Sequence, residues 1–150
     1  MTERQASAPT FVLGLGAQKA GTSWLWHYLS ERPDCAMGKL KEFQFFNMLY
    51  AEDRNRGMIT RQLKHLELAA SRRVKMARKG RAMQDGDRFI AQFESIAMQF
   101  EPWRYADYFK RQIAARPEAR LIGDITPEYA TLSDDGYGQM AAPLEQMGYP

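Results

Sequence analysis

The stretch from Phe11 to Leu29, FVLGLGAQKAGTSWLWHYL, constrains the fold more than any other part of the chain. An apolar run closed by Gly14 and Gly16 gives way to a glycine-bearing loop, and apolar residues resume at helical spacing after Thr22. The pattern predicts a buried parallel strand over Thr10–Leu15 and then a helix from Thr22 to about Arg32. Pro33 ends that helix, and Leu25, Tyr28 and Leu29 are expected on its buried face. A second short strand over Asp34–Met37 completes a βαβ opening. The loop between strand and helix suits an anion. Gly16 and Gly21 let the backbone come close to a ligand, Lys19 brings a cation, and Thr22 and Ser23 set hydroxyls beside the unpaired N–H groups of a helix start.

Spacing separates the loop families that use glycines this way. A dinucleotide fingerprint G-x-G-x-x-G beginning at Gly14 needs a glycine where the chain has Lys19. The triphosphate loop G-x-x-x-x-G-K-[ST] matches Gly16 and Gly21 but meets Thr22 in place of its lysine. A lysine inside the loop, followed by Gly21-Thr22-Ser23-Trp24-Leu25, resembles the phosphosulfate loop of sulfotransferases. Two later stretches are similar to the same family, in matching order. Lys41-Glu42-Phe43-Gln44-Phe45-Phe46 looks like the K-E-x-x-F-F segment of members that act on carbohydrates, and Ile122 to Tyr129 looks like their strand ending in [ST]-P-x-Y.

That resemblance implies an α/β, three-layer, P-loop-like sulfotransferase fold with a central parallel sheet flanked by helices. It implies transfer of a sulfuryl group from 3′-phosphoadenosine 5′-phosphosulfate to the hydroxyl of a carbohydrate or other small-molecule acceptor. Gly16, Ala17, Gln18, Lys19, Ala20, Gly21, Thr22, Ser23 and Trp24 are the cofactor-binding residues it implies, with Trp24 stacking on the adenine. Lys19, Lys41 and Glu42 are the catalytic residues it implies: Lys19 neutralises the leaving phosphate, Lys41 lies beside the phosphosulfate, and Glu42 takes the hydroxyl proton. No metal is demanded, because Lys19 and the helix start already supply positive field, and no His or carboxylate cluster has ligand spacing. Gln44 stands where histidine is frequent, and Ile125 where lysine is frequent. The family's later arginine-and-serine stretch for the 3′-phosphate has no counterpart. The chain therefore reads as a flexible leader over 1–10 and the N-terminal part of one sulfotransferase domain over 11–150, an incomplete fold whose uncovered sheet edge permits self-association.

A net charge of +3 is a modest basic bias, which the loop directs towards a small polyanionic cofactor rather than nucleic acid. One cysteine, Cys35, rules out an intrachain disulfide and suits a reducing compartment. The opening MTERQASAPT has no apolar core of a signal peptide and no window has membrane-spanning length, so a cytoplasmic protein without membrane association is expected.

Elsewhere the pattern is mainly helical: Ala51–Lys79, Asp87 to about Phe100 after a break at Gly80 and Asp85-Gly86, and Trp103–Ala115 with Tyr105, Tyr108, Phe109 and Ile113 on one face. A strand follows over Ala119–Ile125, then a turn at Asp134–Gly138 and a short helix to Met147. The basic run Arg72, Arg73, Lys75, Arg78, Lys79 and Arg81 reads as a solvated helix face, or else as a docking surface for an anionic acceptor. His27 and His65 read as structural or solvated, and Trp103 and Tyr108 as core aromatics with substrate stacking as the alternative. Two other classes compete with the enzyme: a non-catalytic anion- or partner-binding domain, and a P-loop kinase in which Asp124 serves magnesium.

Overall fold

The last strand in the sequence is the middle strand of the sheet. A computed structural model describes residues 8–51, 55–81 and 86–149. In it β1 (Thr10–Gly14), β2 (Cys35–Ala36) and β3 (Leu121–Ile125) form an all-parallel sheet in the order β1-β3-β2. Thr10 lies opposite Leu121 and Gly14 opposite Ile125, while Cys35 and Ala36 pair with Leu121 and Ile122 on the other side. Gly123 is required at the centre, since a Cβ there would strike the Val12 carbonyl of β1.

The two-residue period of β3 divides the core. Ile122 joins Phe43, Phe45, Phe46, Tyr105 and Phe109 in the larger cluster, against which Phe11 and Leu13 of β1 pack. Ile125 joins Leu29, Cys35 and Met37 in the smaller one, with Leu121 and Trp26 at its border. Helices therefore flank both faces: α1 (Thr22–Glu31) on one, and α2 (Phe45–Tyr50), α5 (Trp103–Ala115) and α6 (Asp134–Gln146) on the other. The long α3 (Asn55–Arg78) packs on α4 (Gly86–Phe100), and both pack on α2. The expected α/β class with a parallel sheet between helices is what the structure shows.

Several expectations change in detail. Only Leu29 of the α1 triplet is buried; Leu25 and Tyr28 are exposed, because α1 covers a two-residue β2 and has little sheet to lie on. Helix α2 was not anticipated, since its residues FFNMLY carry no polar face and every position from Phe45 to Met48 is buried. The Asp134–Gly138 turn is the first turn of α6, with the Ser133 hydroxyl accepting from Gly136 N at 3.2 Å as its cap. β1 opens at Thr10, where the expected strand begins, and residues 1–7 of the expected leader lie outside the described residues, as does Asp85. Met58 of α3 is buried, but Leu63, Leu68 and Val74 are exposed. Among the described residues no helix is long and apolar enough to cross a membrane.

Candidate functional site

At the carboxyl ends of β1 and β3 two segments distant in sequence are fastened together. The first is the loop 15–21. Thr126 N donates to Gly14 O at 3.0 Å, and a Cβ on Gly16 would lie 2.9 Å from Ala130 Cβ and 3.1 Å from Pro127 O, so the loop is seated on the turn that follows β3. Gly21, at φ 82, turns the chain into α1. No side chain caps that helix and its first turn holds no acidic residue, which leaves its N–H groups for a ligand. Lys19 is exposed, with φ 61, and has no hydrogen-bond or ion-pair partner among the described residues.

The second is the segment from Lys41 to Phe46. Phe43, Phe45 and Phe46 are buried in the aromatic core, Phe45 stacked on Tyr105 with ring centroids 4.1 Å apart. Phe43 N donates to Thr126 Oγ1 at 3.1 Å, and the Thr126 hydroxyl donates to Asp124 Oδ1 at 2.7 Å. Tyr129 and Tyr105 donate to Asp124 Oδ2 at 2.5 and 3.2 Å. Burial pushes the Asp124 carboxyl up to about 6, while the hydroxyls of Tyr129, Thr126 and Tyr105 oppose the rise. Burial, and then the Asp124 charge, pushes both tyrosines well above their usual range. The apolar anchors leave Lys41 and Glu42 at the surface, where they form an ion pair with each other. Gln44, only 7% exposed and at φ 58, donates from Nε2 to Glu42 Oε2 at 3.5 Å, and its Oε1 is buried without a partner.

Both segments line one cleft of about 720 Å³. The loop contributes Gln18, Lys19, Gly21, Thr22 and Ser23, and the second segment contributes Lys41, Glu42 and Gln44. Of the expected cofactor residues, Gly16, Ala17 and Ala20 belong to the exposed loop without lining the cleft. Trp24 also lies outside it, 69% exposed and stacked on Tyr28 with centroids 5.4 Å apart, so it is not a core residue. Trp103 is exposed under Arg104, and the Tyr108 hydroxyl accepts from Lys39 N at 2.9 Å; neither aromatic lines the cleft.

A third wall escaped sequence reasoning. Arg61, Gln62 and His65 of α3 and Arg88, Gln92 and Ser95 of α4 line the cleft, whereas the basic run from Arg72 onwards lies outside it, with Arg72, Lys75, Arg78, Lys79 and Arg81 exposed as a solvated face. The signal was present as helical periodicity in the polar residues, 61, 62 and 65 on one helix and 88, 92 and 95 on the next. His65 is thus a cleft residue, whereas His27 stays exposed beside Trp26.

The arrangement offers an anion cradle at a helix start, a lysine and a carboxylate beside it, and further cations across the cleft. Among the described residues there is no group of three or more His, Cys, Asp or Glu side chains placed to hold a metal ion. Asp124, the carboxylate a kinase would need at its strand end, is buried with both oxygens occupied by hydroxyl groups and does not line the cleft. No family model, curated protein or solved structure matches the chain.

Proposed function

We propose that the chain is the phosphosulfate-binding part of a sulfotransferase of P-loop-like fold. Its donor is 3′-phosphoadenosine 5′-phosphosulfate, its acceptor a hydroxyl of a glycan or other small molecule, and its place the cytoplasm. One observation carries the reading: Lys19 with the start of α1, and Lys41 with Glu42, line the same cleft although separate parts of the sequence supply them.

In this reading Lys19 and the N–H groups at the start of α1 hold the 5′-phosphosulfate. Lys41 exchanges its Glu42 partner for the sulfuryl oxygens, which leaves the Glu42 carboxylate able to accept a proton. The acceptor oxygen attacks sulfur in line; the new O–S bond forms as the bond from sulfur to the phosphate oxygen breaks. The hydroxyl proton passes to Glu42, and 3′,5′-diphosphoadenosine departs with the electron pair, its charge stabilised by Lys19. Catalysis here is positioning and electrostatics, as in phosphoryl transfer.

The test is transfer of labelled sulfate from the donor to a panel of hydroxyl acceptors by the full chain, alongside titration with 3′,5′-diphosphoadenosine. Saturable binding of the diphosphoadenosine that Lys19→Ala removes supports the reading. Binding unaffected by that substitution sinks it.

A further inference from the structure

The cleft holds more positive charge than its donor site uses. Lys19, Lys41, Arg61 and Arg88 line it against the carboxylates of Glu42 and Glu128. Lys41 is paired with Glu42, and Arg61 Nη2 meets Glu128 Oε2 only at 3.9 Å across a partly exposed gap. Arg88 and His65 have no ion-pair partner among the described residues. Arg61 and His65 are one helical turn apart on α3, so they present donors on the same face, and α4 brings Arg88 to the same wall. A concave site in which cations outnumber carboxylates concentrates anions, and a guanidinium fork matches carboxylate, phosphate and sulfate oxygens in pairs.

We infer that Arg61, His65 and Arg88 form a second anion subsite for a carboxylate, phosphate or sulfate group carried by the acceptor itself. This rests on the sulfotransferase reading, which assigns the loop to the donor and Glu42 to the acceptor's hydroxyl. The α3 and α4 wall is the part of the cleft that remains; of the groups left to touch it, the acceptor's charge and the donor's 3′-phosphate, the acceptor is assigned because the wall lies on the same cleft as Glu42, which takes the acceptor's proton. The acceptor is then an anionic hydroxyl compound, held by its charge while its hydroxyl reaches Glu42.

The probe is inorganic sulfate, titrated into the full chain with 3′,5′-diphosphoadenosine at saturation and followed by NMR at the arginine Nε–H groups. A saturable response at Arg61 and Arg88 is expected. Each arginine removed should weaken sulfate about tenfold, so that Arg61→Gln combined with Arg88→Gln abolishes the response. Lys75→Gln combined with Arg78→Gln removes the same charge from the outer surface of α3 and should leave it intact. Equal losses in the two double variants, or sulfate shifts spread evenly over all arginines, overturn the subsite. If 3′,5′-diphosphoadenosine displaces sulfate from Arg61 and Arg88 while adenosine 5′-phosphate does not, the subsite serves the donor and the assignment to the acceptor falls. Lys19→Ala separates the two claims: loss of diphosphoadenosine binding with sulfate retained upholds both. Retention of diphosphoadenosine binding in that variant sinks the donor reading while the sulfate response still reports on the wall.

Discussion

Thr126 holds Phe43 by a 3.1 Å hydrogen bond from the Phe43 backbone N–H to the threonine Oγ1, joining the end of β3 to the segment that carries Lys41 and Glu42. The same hydroxyl donates to Asp124, so a single side chain relays a buried carboxylate to the backbone beside the proposed base. Thr126→Val leaves the Phe43 N–H buried without a partner and takes one donor from Asp124. A loss of about 1–3 kcal/mol is expected, and Thr126→Ser should restore most of it. Urea denaturation of the three proteins measures this.

Asp124 makes stability depend on pH with a definite sign. Its carboxyl is pushed up to about 6 in the folded protein from an ordinary 3.8, so folding favours the protonated form. The contribution is fully present below the unfolded value and is lost as pH rises through about 6. The difference amounts to roughly 2 kcal/mol between pH 4 and pH 7. Asp124→Asn removes that slope, so the variant should gain on the wild type as pH rises from 4 to 7. Unfolding free energies at both pH values check it, and parallel profiles for the two proteins would contradict it.

On the proposed reading Lys19 serves binding and not the fold. It is exposed and without a partner among the described residues, so Lys19→Ala should leave the thermal midpoint almost unchanged. Affinity for 3′,5′-diphosphoadenosine should fall about tenfold or more, the size of one charge-assisted phosphate contact. Calorimetric titration beside a thermal scan separates the two effects.

Glu42→Gln should lower sulfuryl transfer by roughly 10²- to 10⁴-fold, the range for loss of a general base. Diphosphoadenosine affinity should stay near wild type, because a base acts in the transition state. A matching loss of both would assign Glu42 to donor binding instead.

Gly38 is confined by its neighbour. At φ 75, with a Cβ that would come 2.5 Å from Tyr108 Oη, it admits no side chain without moving the hydroxyl that accepts from Lys39 N. Gly38→Ala should destabilise by about 1–3 kcal/mol, and pairing it with Tyr108→Phe should cost less than the sum of the two single changes. A double-mutant cycle by denaturation gives the answer.

The strand, loop and helix from Thr10 to Glu31 were readable because their determinants are local: an apolar run, glycines where the chain turns, and a polar helix start. Lys41 and Glu42 stood out through resemblance alone, since two exposed charges ahead of an aromatic run carry no pattern of their own. The α3 and α4 wall was hidden for a different reason. Which face of a polar helix borders a cleft depends on what the helix packs against, and the densest run of charge in α3, from Arg72, lies beyond the face that does so. The hydroxyl cage of Asp124 was out of reach too, because Tyr105 comes from α5 and joins Thr126 and Tyr129, of the turn after β3, only once α5 lies on the sheet.

The position of β3 between its neighbours bears on how the nascent chain matures. β1 and β2 never pair with each other; each waits for a partner that begins at Leu121. At about 5–20 residues per second, a ribosome takes on the order of ten seconds to deliver that partner after β1 has emerged. Until then the apolar strand at Phe11–Leu13 has no strand to pair with, and the loop 15–21 has no turn to rest on. The loop 15–21 is accordingly synthesised well before the turn it is seated on and takes its place only when that turn arrives. Chaperone dependence during translation should therefore end when residues 121–129 leave the exit tunnel.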